Sequence, residues 1–165
     1  MRVRDAARLI VVDSRDRALL FRYAGGDVVD PSLPLPYAFW TTPGGGLEPG
    51  ETHERAAIRE AREELGLDLA PADIGPWIWT RERRLMRDGA PILSRARYFP
   101  LRVDALEPDL SLMDEAERRI FGGFRWWSLD EIAASDERFI PFELARLLPA
   151  VLRGEHPPAP IFLDR

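Results

Sequence analysis

The sequence predicts a fold of the α+β class, an α/β/α sandwich in which a mixed β-sheet is flanked by helices. Short runs rich in β-branched and aromatic residues occur both before and after one strongly helical segment. A second helical pattern lies near the C-terminus, so we expect layers of helix packed on the sheet. The chain has 165 residues, a length that suits one domain, and we assign residues 1–165 to it.

The N-terminal part of the chain predicts a β-hairpin and a third strand. The runs at 8–13 and 18–23 are apolar and β-branched, and the turn-forming segment SRDR separates them. Residues 24–36 are rich in glycine and proline, which is typical of a loop. The aromatic segment 37–43 predicts a strand that leads into three consecutive glycines.

Residues 52–65 predict the central helix. Thr52 is a suitable N-cap, Glu54 places an acid in the first turn, and Gly66 is a stop signal. On a helical wheel one side is apolar, and we expect that side to pack on the sheet. Its residues are Ile58, Ala61 and Leu65.

The second half of the chain alternates strand and helix patterns. The predicted elements are strands at 77–86 and 94–103, an irregular acidic loop at 104–123 with one helical turn, a strand at 124–129 followed by a short helix, and a closing helix at 141–154.

Composition excludes several classes of protein. The chain contains no cysteine, which rules out disulfides and thiolate chemistry and makes the cytoplasm the expected location. No apolar run is long enough to span a bilayer, so we expect no membrane partner. The net charge of −5 argues against electrostatic binding along the phosphate backbone of a nucleic acid polymer. His53 and His156 are isolated and predict surface histidines.

Glutamates are crowded on one side of the central helix, although like charges at this spacing repel. Glu60, Glu63 and Glu64 fall together on the wheel, opposite the apolar side. One interpretation is a solvated acidic face. The other is a set of hard oxygen ligands for Mg²⁺ or Mn²⁺, cations that prefer carboxylates and share their coordination with substrate phosphates. Spacing alone does not choose between them.

The wider segment resembles the signature of the Nudix hydrolases. That pattern is a glycine, five free positions, a glutamate, seven free positions, and then arginine, glutamate, an aliphatic residue, a free position, two glutamates, a free position, glycine and an aliphatic residue. The matching residues here are Gly45, Glu51, Arg59, Glu60, Ala61, Arg62, Glu63, Glu64, Leu65, Gly66 and Leu67. Ala61 departs from the pattern because a larger aliphatic residue is usual there, which concerns packing rather than chemistry.

The resemblance implies a Nudix fold and metal-dependent hydrolysis of a nucleoside diphosphate linked to another group. It implies Mg²⁺, or Mn²⁺, as the cofactor. The metal ligands carried over by position are the side chains of Glu60, Glu63 and Glu64 and the carbonyl of Gly44. Glu63 and Glu64 are also expected to act in catalysis.

Other residues of the signature are expected to orient the acids and to give the substrate access to the backbone. Arg59 would pair with a neighbouring carboxylate and orient it. Gly45 and Gly46 would let substrate phosphate approach the backbone, since glycine permits turns that a side chain would block. Glu51 has two alternative roles. It is either structural, accepting hydrogen bonds from loop amides, or it contacts a metal ion through a bridging water.

The general base is sought in the acidic loop. In many relatives this base is a glutamate outside the signature, and the loop offers Glu107, Glu115 and Glu117. We select Glu115 and Glu117 because they lie closer in sequence to the following aromatic strand. Glu64 is an alternative base.

Substrate contacts are expected outside the signature. Trp40 is a candidate for stacking on a nucleobase, although most tryptophans fill cores. Arg81 and Arg97, with Arg83 and Arg95, alternate along two neighbouring strands and are predicted to form a phosphate-binding wall.

The expected partner is a small nucleotide, either a nucleoside triphosphate, including an oxidised one, or a nucleotide sugar such as ADP-ribose. The resemblance leaves a homodimer open. The alternative function is a non-catalytic nucleotide-binding regulator on the same fold. An isomerase of isopentenyl diphosphate is disfavoured, because that chemistry depends on a cysteine in known relatives.

Overall fold

The computed structural model describes residues 1–26, 28–33 and 38–163. Ten strands lie within these ranges: β1 (Arg2–Val12), β2 (Arg17–Ala24), β3 (Val28–Val29), β4 (Ala38–Thr41), β5 (Gly44–Gly46), β6 (Trp79–Arg87), β7 (Ala90–Arg102), β8 (Phe121–Ser128), β9 (Phe139–Ile140) and β10 (Ile161–Leu163). The helices are α1 (His53–Glu60), which continues as a π-helical turn at Ala61–Leu65, a 3₁₀ turn at Pro71–Asp73, α2 (Glu115–Arg118), α3 (Leu129–Ala134) and α4 (Leu144–Leu152).

The sheet is mixed, as predicted. Across it the strands run β10-β6-β7-β1-β2-β4-β9, and three short or branching pairs join β3 to β6, β5 to β1 and β8 to β2. The long strands β1 and β7 are parallel, whereas β6 and β7 are antiparallel. The predicted N-terminal turn is confirmed, but β1 and β2 pair only at Val12 and Ala18 beside it. Further along, β1 pairs with β7 and β5 instead.

Two apolar cores lie on the two faces of the sheet. Along β1, Ile10 and Val12 face one core while Leu9 and Val11 face the other, as alternation in a strand requires. The first core is closed by α3 and α4, the second by α1. This arrangement is the predicted sandwich, with helices on both sides of the sheet.

Several predictions about the elements need correction. The glycines at 44–46 form a strand, β5, and the tail adds β10, which is parallel to β6. The short strand β3 lies inside the predicted loop 24–36. Residue 37, the predicted start of the third strand, lies outside the described residues. Among the residues that are described, no helix is long and apolar enough to cross a membrane.

Candidate active site

The central helix buries two of its acids, which corrects the prediction from the helical wheel. Ala56, Ala57 and Ala61 are fully buried, and these small side chains let the helix approach the sheet closely. Glu60 and Glu64 lie on the same side and are only 7% and 1% exposed. Ile58, expected in the core, is half-buried. The buried side of the helix therefore carries two carboxylates into the contact with β5.

Glu64 is held by the first glycine of β5. The amide of Gly44 donates a hydrogen bond of 2.8 Å to Glu64 Oε2. Its other oxygen, Oε1, is buried without a hydrogen-bond partner among the described residues. Burial raises the pKa of Glu64 well above its ordinary value, and the neighbouring carboxylates of Glu117 and Glu60 raise it further. A buried oxygen without a hydrogen-bond partner lowers the stability of the folded protein when no ligand is bound to it.

Gly44 cannot be replaced without strain. Its φ is +138°, a conformation that residues with a side chain rarely adopt. A Cβ there would also overlap the carbonyl oxygen of Ala7. The Gly44 carbonyl, a predicted metal ligand, accepts a hydrogen bond of 3.2 Å from Arg8 Nη1, a residue that the sequence analysis did not single out.

Glu60 lies against the second glycine. A Cβ on Gly45 would collide with the Glu60 carboxylate, so glycine at this position makes room for the acid. Burial raises the pKa of Glu60 to about 7, opposed by the charge of Arg59 and its hydrogen bond. Arg59 Nη1 donates to Glu60 Oε1 at 2.9 Å.

Arg59 donates hydrogen bonds to three of the neighbouring glutamates. Its Nε and Nη2 donate to the two oxygens of Glu51, each at 2.9 Å, and Nη2 also donates to the Gly46 carbonyl at 2.8 Å. Nη1 reaches Glu63 at 3.3 Å, where the carboxylate is 41% exposed. The hydrogen bond from Arg59 is the main reason that the pKa of Glu51 is lowered. Because Glu51 also accepts from the Glu48 amide, its contacts fit the structural role.

The acidic loop contributes Glu117 but not Glu115. The Tyr23 hydroxyl, on β2, donates to Glu117 Oε1 at 2.9 Å, and the charge of Glu117 acts on both Glu60 and Glu64. Burial raises the pKa of Tyr23, so it remains a donor. Glu115 is 86% exposed and pairs with Arg119 at 3.6 Å. Tyr23 was missed because nothing in its sequence neighbourhood signals a contact across the fold.

The donor chemistry of this cluster suits a divalent cation. Carboxylate oxygens are the ligands that Mg²⁺ and Mn²⁺ prefer, and Glu64 presents a buried oxygen with no partner among the described residues. In the described part of the chain, no three acidic or histidine side chains are already arranged to hold one ion. Arg59 binds Glu60 and Glu63 instead. Arg59 contacts one oxygen of each carboxylate, Oε1 of Glu60 and Oε2 of Glu63, and leaves the second oxygen of each outside that contact.

The predicted arginine wall is wrong. In the β6–β7 pairing, Arg81 lies opposite Ala96 and Arg97 lies opposite Thr80, so Arg81 and Arg97 project from opposite faces. Arg97 stacks 3.9 Å from the centre of the Trp77 ring. Arg95, on the same face as Arg97, pairs with Asp5 at 2.6 Å. The four arginines therefore lie on both faces of the sheet, Arg81 and Arg83 on one face and Arg95 and Arg97 on the other.

Other side chains are also placed differently from expectation. Trp40 packs in the core under α4, with its ring 5.2 Å from that of Trp127, and a role in stacking on a base stays a prediction. Its neighbour Phe39 faces the acid side, 6.0 Å from Tyr23. His53 is partly buried rather than on the surface, and burial lowers its pKa.

Two sequence comparisons find proteins related to this chain. The model of the NUDIX domain matches residues 2–148. The chain is 34% identical over 99 residues to the nucleoside triphosphatase NudI of Salmonella paratyphi B, an alignment that covers 59% of this chain and 67% of that protein.

Solved structures show the same fold. A MutT protein from Methanosarcina mazei Go1 superposes with a TM-score of 0.61 at 19% identity, covering 93% of this chain and 95% of that one. A MutT NUDIX hydrolase from Burkholderia pseudomallei gives a TM-score of 0.61 at 20% identity, covering 88% and 96%. The chain therefore belongs to the Nudix hydrolase family, whose members generally use divalent metal ions, and it is a Nudix pyrophosphohydrolase.

Proposed function

We propose that this protein hydrolyses a pyrophosphate bond in nucleoside diphosphate derivatives with the help of Mg²⁺, for which Mn²⁺ can substitute. The observation that carries the proposal is the pair of buried carboxylates, Glu60 and Glu64, packed against the glycine strand β5. Two neighbouring buried acids with raised pKa values are unfavourable without a cation. A divalent cation removes that cost.

The residues that would hold the cation are Glu60, Glu63 and Glu64, with the Gly44 carbonyl beside them. Once bound, the metal neutralises phosphate charge, acts as a Lewis acid and lowers the pKa of a bound water. Arg59 keeps Glu60 and Glu63 within reach when the cation is absent. Gly45 and Gly46 leave strand β5 without side chains, and phosphate would approach the protein there.

The reaction is attack of water on phosphorus. A new bond forms between the water oxygen and phosphorus, the bridging phosphorus–oxygen bond breaks, and the leaving phosphate keeps the electron pair. A general base takes the proton from water. Among the candidates, Glu117 is favoured over Glu115, because Glu117 lies beside the buried acids and Tyr23 fixes its orientation. Glu64 remains the alternative base.

The first substrate class to test is the nucleoside triphosphates, including oxidised ones. The support is the similarity to NudI, which is a nucleoside triphosphatase. Nucleotide sugars such as ADP-ribose are the second class. A small nucleotide is the proposed partner, and the cytoplasmic location, the single domain and a homodimer stay predictions.

The test is turnover of a panel of nucleoside triphosphates and nucleotide sugars with Mg²⁺ and with excess EDTA. We expect Mg²⁺-dependent release of a nucleoside monophosphate or diphosphate, and a loss of roughly 10²-fold or more in Glu64→Gln. Glu54→Gln, at an exposed position on the same helix, is the matched control and should keep full activity. Nucleotide binding without turnover of any compound would favour the non-catalytic regulator instead.

A further inference from the structure

Arg8 lies on β1 and contacts the backbone that leads into the glycine strand β5. In the pairing of β1 with β5, Arg8 lies opposite Gly44. Its Nη1 donates to the carbonyls of Thr42 and Gly44, at 3.1 and 3.2 Å. This nitrogen carries two hydrogens, so the two carbonyls use all of its donors.

The other donors of Arg8 have no hydrogen-bond partner in residues 1–26, 28–33 and 38–163. Nη1 supplies two of the five N–H donors of a guanidinium, and the remaining three are on Nε and Nη2. In the same ranges no carboxylate lies within ion-pair distance of Arg8. The side chain is half-buried rather than enclosed. Nε and Nη2 form an edge that matches two phosphate oxygens at once.

Gly44 connects Arg8 to the buried acids. The Gly44 amide donates to Glu64 Oε2 at 2.8 Å, while the Gly44 carbonyl accepts from Arg8. A single residue therefore separates the guanidinium from the buried carboxylate. The carbonyl oxygen has a second lone pair, so the hydrogen bond from Arg8 leaves it able to bind a cation, as the signature predicts.

Two tyrosines on opposite faces of the sheet are affected by the charge of Arg8. Burial raises the pKa of Tyr23, whose hydroxyl contacts the acidic loop, and the charge of Arg8 opposes that rise. Burial also raises the pKa of Tyr98, which pairs with Arg8 across β1 and β7, and the charges of Arg81 and Arg8 oppose it. Tyr98 belongs to the core under α4 and Tyr23 to the core under α1. The charge of Arg8 therefore acts on the acid side of the sheet as well as on its own side.

We propose that Arg8 binds a phosphate oxygen of the substrate through the Nε and Nη2 edge of its guanidinium. The inference rests on the proposed function and adds a substrate-binding residue to it. Phosphate held by a cation at Glu64 and the Gly44 carbonyl lies beside Arg8, because the same carbonyl is the acceptor for Nη1. Guanidinium donors bind phosphate with charge-assisted hydrogen bonds. Triphosphates and nucleotide sugars both carry this phosphate, so Arg8 acts on either class.

A purely structural role is the alternative, in which Arg8 only fixes the segment 42–44 through its two carbonyls. The two roles differ in their consequences for metal binding without phosphate. Loss of a structural contact moves the Gly44 carbonyl and weakens cation binding. Loss of a phosphate contact leaves cation binding intact and weakens only the binding of phosphate.

The test compares two calorimetric titrations. One uses Mn²⁺ alone, and the other uses methylenediphosphonate, a non-hydrolysable analogue of pyrophosphate, in the presence of Mn²⁺. We expect Arg8→Gln to weaken methylenediphosphonate binding about tenfold or more without weakening Mn²⁺ binding. Arg8→Lys keeps the charge but lacks the two-donor edge, so it should weaken methylenediphosphonate binding about threefold or more. Arg2→Gln is the matched control, because it removes the same charge from an exposed position on the same strand, and it should bind like wild type.

Thermal melting establishes that each variant is folded, and Arg8→Lys decides the test if Arg8→Gln does not fold. The inference is overturned if wild-type protein does not bind methylenediphosphonate, or if the Arg8 variants bind it like wild type. It is also overturned if these variants lose Mn²⁺ affinity by the same factor, which is the structural role, or if Arg2→Gln weakens binding equally, which is long-range attraction.

Kinetics separate this inference from the proposed function. We expect kcat/KM to fall in Arg8→Lys for a triphosphate and for a nucleotide sugar alike, if the wild-type protein turns over both. Mg²⁺-dependent turnover with an unchanged kcat/KM in Arg8→Lys overturns the role of Arg8 and leaves the proposed function standing. Absence of turnover in the wild-type protein contradicts the proposed function, and methylenediphosphonate binding then decides the role of Arg8.

Discussion

Replacing Glu60 by glutamine should stabilise the metal-free protein at high pH. The pKa of Glu60 rises from an ordinary value of 4.5 to about 7, mainly through burial. At about 1.4 kcal/mol per pH unit, that rise corresponds to roughly 3 kcal/mol of preference for the neutral form in the folded state. Glutamine is neutral at every pH, has nearly the same shape, and can still accept the hydrogen bond from Arg59.

The direction of the pH dependence follows from linkage. Because the pKa of Glu60 is higher in the folded state, the folded protein binds the proton more tightly than the unfolded chain does. The resulting stability is fully present below pH 4.5 and is lost as the pH rises through about 7. Glu60→Gln should therefore exceed wild type by up to about 3 kcal/mol at pH 8, but by less than about 1 kcal/mol at pH 5.

The assay is urea unfolding followed by circular dichroism, in EDTA, at both pH values. Glu54→Gln is the control, and it should change stability by no more than about 0.5 kcal/mol at either pH, as expected for an exposed site. A Glu60→Gln variant that is less stable than wild type at pH 8, or equally shifted at both pH values, would refute the reasoning that burial dominates the energetics of this acid.

Two further substitutions test contacts around the acids. Gly45→Ala should displace the Glu60 carboxylate, since a Cβ there collides with it, and should weaken Mn²⁺ binding at least tenfold in calorimetry. Unchanged affinity would contradict the close packing. Tyr23→Phe removes the hydrogen bond to Glu117 and should lower kcat about tenfold or more with little change in KM. A change in KM alone would show that Glu117 contacts substrate rather than the attacking water.

The signature predicted the identities of the acids but not their burial. The helical wheel places Glu60, Glu63 and Glu64 opposite the apolar side, and so predicts that they lie away from the sheet. The alanines at 56, 57 and 61 reverse this for Glu60 and Glu64, since their small side chains let the helix sit close to β5. Ala61, the one departure from the family pattern, belongs to this contact.

Strand patterns predicted most of the sheet, because alternation and β-branched runs are local properties. Register is not local, and it decided where the arginines lie. Arg81 and Arg97 occupy similar places in two neighbouring strands, yet the pairing of Arg81 with Ala96 sends them to opposite faces. The pairing of β1 with β7 then brings Arg4 to the same face as Arg83. No short stretch of sequence contains that information.

The most direct measurement is calorimetric titration of Mn²⁺ into wild-type protein, Glu64→Gln and Glu54→Gln, each with and without a non-hydrolysable nucleotide. We expect wild type and Glu54→Gln to take up the ion with matching affinity, more tightly when nucleotide is present, and Glu64→Gln to bind at least tenfold more weakly. No uptake by the wild-type protein, or equal uptake by all three, would contradict the claim that the buried acids beside the glycine strand bind a divalent cation.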